Sequence, residues 1–363
     1  MPLDPFFLDR LRVHRRHLYE RALGSARGHL VSLWPFGRSG SPATATPPPQ
    51  PATTLRAESE TDGPRARARA RHRTSALNWD RSQFKTVGTA GPDIPISEHV
   101  VAADGVPSFR VRIYYPAEPD GALVPGCLAL FGGAFRIGGI DYPSTDAGYR
   151  RRAADSGVAI VAVDYALAPE HRYPTQVQQA YAALVWLFEH AAEVGIDAER
   201  IGIMGTSAGG NLAAAATLLN RDGARLPVRL QVLEAPVTDL TGKHIDLAAL
   251  RSLGIPSVLA RRELRSVART YLPHASNAKE PLASPLRAPS HEGLPPAVVL
   301  TAEYDPLRAD GAAYAAALRE AGVDASAVRY LGVTHDTPLF TAVLPGARRW
   351  HDDIVTALRR LHG

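Results

Sequence analysis

A serine between two glycines ends an apolar run, in Ile201-Gly202-Ile203-Met204-Gly205-Thr206-Ser207-Ala208-Gly209-Gly210. A Gly-x-Ser-x-Gly spacing suits a strand-to-helix turn so sharp that a side chain on either glycine would strike the backbone, leaving the serine hydroxyl projecting. The bland alternative is a glycine-rich turn. Ala208, Asn211, Leu212 and Ala213 fit a helix whose first amides would face any negative charge formed at the serine. A hydroxyl becomes a good nucleophile only when a base takes its proton and an acid orients that base. Among 13 histidines, position selects His335, in the loop Gly332-Val333-Thr334-His335-Asp336 after the last expected strand. Asp305 follows the apolar run Val298 to Thr301 and precedes Pro306, so taken singly it reads as a helix N-cap. Together, Ser207, Asp305 and His335 lie in nucleophile, acid, base order, each beyond a strand end. An imidazole at its reference pKa would lose basic function below about pH 6.5.

A tetrahedral oxyanion also needs amide donors. Ala208 supplies one, and Gly132, Gly133 and Ala134 in Phe131-Gly132-Gly133-Ala134-Phe135 are the expected others. The other reading of that loop, a phosphate-binding turn, lacks Gly-x-Gly-x-x-Gly and a Walker lysine; the chain has only Lys85, Lys243 and Lys279. No ligand cluster with zinc spacing appears, so neither metal nor cofactor is expected.

Such a constellation needs a rigid support. Strands are expected at Phe109 to Tyr115, Cys127 to Phe131, Val158 to Val163, Ile201 to Met204, Leu230 to Glu234, Val298 to Thr301 and Ala327 to Tyr330. Helices are expected at about 145 to 155, 175 to 193, 208 to 221, 260 to 272, 307 to 321 and 344 to 361. The second opens with Thr175 and Gln178 at capping-box spacing. Alternation of this kind implies an α/β protein with a mostly parallel sheet covered on both faces, binding ligands beyond the C-terminal strand ends.

The 363 residues are 45% hydrophobic and hold no run that would span a bilayer. The net charge of +5 is unevenly placed: residues 1–75 carry 13 arginines against 6 acids, and the rest is slightly acidic. Residues 39–80, rich in Pro, Ala and Arg, are expected to form a disordered linker. Without interleaved aromatics its arginines point to no nucleic-acid partner. Phe7, Leu11, Leu18 and Ala22 lie at helical spacing, so residues 6–24 of an N-terminal segment (1–38) are expected to form an amphipathic helix, a candidate lid. One cysteine, Cys127, cannot pair within the chain and sits in a buried run, which suits packing and a cytoplasmic location.

These motifs resemble the hormone-sensitive-lipase-like, type IV esterases and lipases of the α/β-hydrolase fold that carry Gly-Thr-Ser-Ala-Gly. The resemblance covers about residue 105 to the C-terminus. It includes Asp164 to Pro174, Ala283-Ser284-Pro285-Leu286, Glu303-Tyr304-Asp305-Pro306-Leu307-Arg308 and Gly332-Val333-Thr334-His335 besides the serine and glycine motifs. It implies a catalytic domain over 81–363 with a helical cap inserted at about 237–290, and a homodimer. It also implies a carboxylic-ester hydrolase of short to medium acyl esters, with Ser207 as nucleophile, His335 as base, Asp305 as acid and Gly132, Gly133, Ala134 and Ala208 around the oxyanion. Amide hydrolysis or acyl transfer by the same triad, or ligand binding without turnover, remain open. Phe131 and Ala134 depart from the family's His-Gly-Gly-Gly; the family histidine braces the loop, and a side chain at a positive-φ position costs on the order of 1 kcal/mol.

Overall fold

The computed structural model describes residues 2–10, 63–118, 121–254 and 256–363. They divide into two compact units, with residues 4–10 and 63–68 in one and the other described residues in the second. In the smaller unit, helix α1 covers residues 5–10, opened by Asp4, whose carboxylate accepts the Phe6 amide at 2.9 Å. The remainder of the helix expected over 6–24 lies outside the described residues, as does the linker as far as residue 62.

From Pro64 onward the linker expectation is overturned: Pro64–Val87 is a 24-residue helix, α2. The physical reason is local and tertiary. Ala and Arg are among the best helix formers, and proline is tolerated in a first turn. Arg69 and Arg73 then both reach the Glu170 carboxylate, at 2.7 and 2.5 Å, while buried Asp80 accepts the Ser144 amide at 3.1 Å.

Eight strands follow: β1 (Ile96–Ala103), β2 (Val106–Tyr114), β3 (Val124–Leu130), β4 (Ala159–Asp164), β5 (Ile196–Thr206), β6 (Gln231–Glu234), β7 (Ala297–Tyr304) and β8 (Ala325–Thr334). They form one sheet in the order β1-β2-β4-β3-β5-β6-β7-β8, with β1–β2 and β2–β4 antiparallel and every other pair parallel. Strand β1 is an edge with a single buried residue, so its sequence carries little apolar alternation to announce it. By contrast the central strands β3 and β4 are buried at almost every position, as parallel strands covered on both faces must be.

The helices are α3 (Pro143–Ser156), α4 (Thr175–His190), α5 (Ala208–Asp222), α6 (Leu247–Ser252), α7 (Ser257–Tyr271), α8 (Arg308–Glu320) and α9 (Pro345–Arg359). Helix α5 starts directly behind Ser207 and is buried over most of its length; its alanines let it lie close on the sheet. The capping box expected at α4 is absent. Pro174 occupies the N-cap, and Thr175, already helical, donates its amide to the Arg172 carbonyl at 3.0 Å. Helices α6 and α7 lie in the long connection between β6 and β7. Among the described residues no helix is long and apolar enough to cross a membrane.

Candidate active site

Ser207 stands between β5 and α5 with φ 55° and ψ −112°, a region an L-residue enters only under constraint. The constraint is close packing. A Cβ on Gly205 would lie 2.1 Å from the Gly209 carbonyl oxygen, and one on Gly209 would lie 2.0 Å from that of Leu130, so both flanking positions require glycine. The Ser207 amide donates to the Glu234 carbonyl at 2.8 Å, tying the turn to β6.

The strand ends bring His335 and Asp305 to the same place. His335 Nε2 lies 3.1 Å from Ser207 Oγ, and His335 Nδ1 lies 2.7 Å from Asp305 Oδ2. Asp305 is fully buried, and its Oδ1 accepts the Leu307 amide at 2.8 Å. One carboxylate oxygen thus meets the imidazole and the other accepts a backbone amide ahead of α8, whose N-cap is Leu307 and not Asp305 as expected, because the helix begins only at Arg308. Burial alone would lower the His335 pKa; the Asp305 charge and hydrogen bond outweigh it, with a contribution from Asp336, and raise it to about 9. The sign matters, because an imidazole must be neutral to accept a proton, so the pH 6.5 expectation moves upward.

The Phe131–Phe135 loop packs against this turn. A Cβ on Gly132 would come 3.1 Å from the Thr206 carbonyl. Ala134 has φ 52° and Phe135 φ 61°, so the loop holds a left-handed conformation without glycine at either position. Among the described residues the amides of Gly133, Ala134 and Ala208 have no hydrogen-bond acceptor, leaving them free for a ligand. Aromatic contacts replace the polar brace that a histidine would give. The Phe131 ring stacks on Tyr165 at 4.1 Å, and the Tyr165 hydroxyl donates to the Phe131 carbonyl at 2.7 Å. Phe135 stacks on Tyr271 of α7 at 3.8 Å, while its carbonyl accepts the Ala168 amide at 2.8 Å.

One supporting group escapes sequence reasoning. Glu234 is fully buried beneath the turn, where its carboxylate receives Arg152 at 2.8 and 2.9 Å, the Thr206 hydroxyl at 2.9 Å and the Trp350 indole N–H at 2.9 Å. Four elements, α3, β5, β6 and α9, thus meet on one carboxylate next to the residue that precedes Ser207. Its only trace in the sequence is an acid closing the otherwise buried run Gln231-Val232-Leu233-Glu234.

Ser207 and His335 open into a cavity of about 300 Å³, walled by Ala134 and Phe135 on one side and by Val237, Leu240 and α7 on the other. Cys127 is packed in β3 at 1% exposure, and burial pushes its thiol pKa well up, which makes it inert. Among the described residues no three His, Cys, Asp or Glu side chains are grouped to hold a metal.

Residues 127–339 match a family model described as the α/β-hydrolase fold. Carboxylesterase NlhH of Mycobacterium tuberculosis is 34% identical over 281 residues, which span 77% of this chain and 86% of that protein. An ethyl acetate hydrolase of Pseudomonas putida is 35% identical over 70% of this chain and 79% of its own length. The crystal structure of EstE1, a thermostable carboxylesterase cloned from a metagenomic library, superposes with a TM-score of 0.73 at 35% identity, covering 81% of this chain and 97% of that one. Sheet order, the placement of Ser207 and these likenesses agree: the chain belongs to the α/β-hydrolase family, in its hormone-sensitive-lipase-like branch.

Proposed function

We propose that the chain is a serine carboxylic-ester hydrolase of short to medium acyl esters, working through an acyl-enzyme on Ser207. The single observation that carries this is the continuous path Ser207 Oγ, His335 Nε2, His335 Nδ1, Asp305 Oδ2, with gaps of 3.1 and 2.7 Å. In this reading His335 removes the hydroxyl proton as Ser207 attacks the ester carbonyl, and Asp305 holds the imidazole and stabilises its charged form. The amides of Gly132, Gly133, Ala134 and Ala208 receive the oxyanion. Collapse expels the alcohol, which takes the proton from His335, and water activated by the same imidazole then releases the acid. Helices α6 and α7, within residues 237–290, serve as the cap over the acyl chain. A cavity of about 300 Å³ lies at the small end of the range for ligand sites and supports a short-chain preference. No finding favours amide hydrolysis, acyl transfer or binding without turnover.

The direct test is hydrolysis of a p-nitrophenyl ester series by wild type and Ser207→Ala. Activity should fall by roughly 10³ to 10⁶ in the variant and, in wild type, peak at short chains. Wild-type rates in Ser207→Ala would remove the serine from the mechanism. The same proposal places the protein in the cytoplasm, supported by its lone, unpaired Cys127. It also places a homodimer contact at edge strand β8, where Val328 and Leu331 are exposed; a monomer by light scattering would refute that contact.

A further inference from the structure

We infer that the cavity over Ser207 prefers esters whose acyl chain ends in a carboxylate, the half-esters of short dicarboxylic acids, with Arg261 and Arg265 receiving the terminal charge. The inference rests on the esterase reading and names its substrate class. Helix α7 carries Arg261, Arg262, Arg265 and Arg269 against one acid, Glu263. Glu263 is engaged by Arg136 of the neighbouring loop. Arg261 and Arg265, one helical turn apart, fall on the face that lines the cavity together with Leu264, Val267 and Ala268. Among the described residues neither has an ion-pair or hydrogen-bond partner.

Two unpaired guanidiniums at i,i+4 repel one another, and a carboxylate between them would relieve that repulsion while satisfying their donors. Among the described residues that line the cavity Asp239 is the one acid, and it turns away from the α7 arginines to other partners, with hydrogen bonds on its Oδ1 and none on its Oδ2. It is 2% exposed, its Oδ1 accepts the Thr241 amide and hydroxyl at 2.9 and 2.6 Å, and Arg287 and His244 face its Oδ2 at 3.5 and 3.8 Å. Ser207, the two arginines and the apolar side chains of Val237, Leu240, Ile245 and Leu307 line the same cavity. That combination of a nucleophile, apolar side chains and cations in one cavity suits an ester carbonyl, a few methylenes and a carboxylate. An acyl chain ending in ammonium would be repelled at the same place, and a neutral one would gain nothing from the arginines.

The test compares ethanol release from monoethyl glutarate with release from its neutral amide isostere. In wild type at low salt the ratio of kcat/KM values should favour the anion by roughly 2- to 30-fold, the range for two exposed charge pairs. It should fall toward one in Arg261→Gln/Arg265→Gln, mainly through KM, and it should shrink in wild type as salt rises. The ratio is internal to each protein, and the wild-type salt series stands even where the double variant fails to fold. A ratio of one or below in wild type, or a preference untouched by both salt and substitution, overturns the inference while leaving the esterase intact. No turnover of either ester, together with no fluorophosphonate uptake, would instead bring down the esterase reading and this inference with it.

Discussion

The floor beneath Ser207 and the wall above it are built on opposite principles. Below, Glu234 is fully buried and saturated by Arg152, Thr206 and Trp350, and Gly205 and Gly209 leave no space for a single extra carbon. Above, the arginines of α7 are exposed, and Val258 near its start is 76% exposed. A nucleophile needs a fixed angle of attack, which dense packing and saturated hydrogen bonds supply. Selecting among acyl chains needs a surface that can change without disturbing that angle, and the connection between β6 and β7 provides it. Substitutions in the floor should therefore move stability and kcat together, whereas substitutions in the wall should move the choice of substrate.

The largest expected effect that bears on this contrast is Glu234→Ala. It leaves the Arg152 guanidinium buried and uncompensated, a loss of about 3–5 kcal/mol, and it frees the Thr206 hydroxyl. Chemical denaturation should show that loss, with kcat falling in the protein that remains folded. A stability change under about 1 kcal/mol would mean that the carboxylate does not hold the floor together.

Next in size is the pH dependence. With its pKa raised to about 9, His335 is mostly protonated at neutral pH and gains basic function as pH rises. In the free enzyme kcat/KM should accordingly climb close to tenfold from pH 7 to 8 and about fivefold more from 8 to 9. A plateau reached by pH 7.5 would show that the Asp305 charge is not felt as the geometry implies. The smallest effect belongs to Ala134→Gly. Removing a methyl at φ 52° relieves strain of about 1 kcal/mol, and the added freedom of the unfolded chain offsets part of it. Thermal melting should thus show a gain below about 1 kcal/mol; a loss would mean that the methyl packs against the loop.

Much of the site was legible in the sequence because Ser207, Asp305 and His335 each follow a strand, and those strands show as short β-branched runs even where, as in β8, half of the positions are exposed. Ser207, Asp305 and His335 lie together in space, in the chain order that the motif spacing implies. Two features were hidden for physical reasons. Residues 64–80 read as linker on composition, yet alanine and arginine are strong helix formers, and the partners of Arg69, Arg73 and Asp80 lie about 60 to 100 residues away. Glu234 was opaque because burial of a carboxylate is decided by who meets it. Arg152 and Trp350 lie 82 and 116 residues away in sequence, and no local pattern announces either contact. Strand β1 escaped because an edge strand with a single buried residue need not alternate.

The most direct measurement of the central claim is reaction of the full-length protein with a fluorophosphonate, followed by mass mapping of the modified peptide. A single phosphonyl group on Ser207, with esterase activity lost in proportion to labelling, is the predicted result. Modification of a different serine, or complete ester turnover by a protein whose Ser207 stays unmodified, would contradict the account.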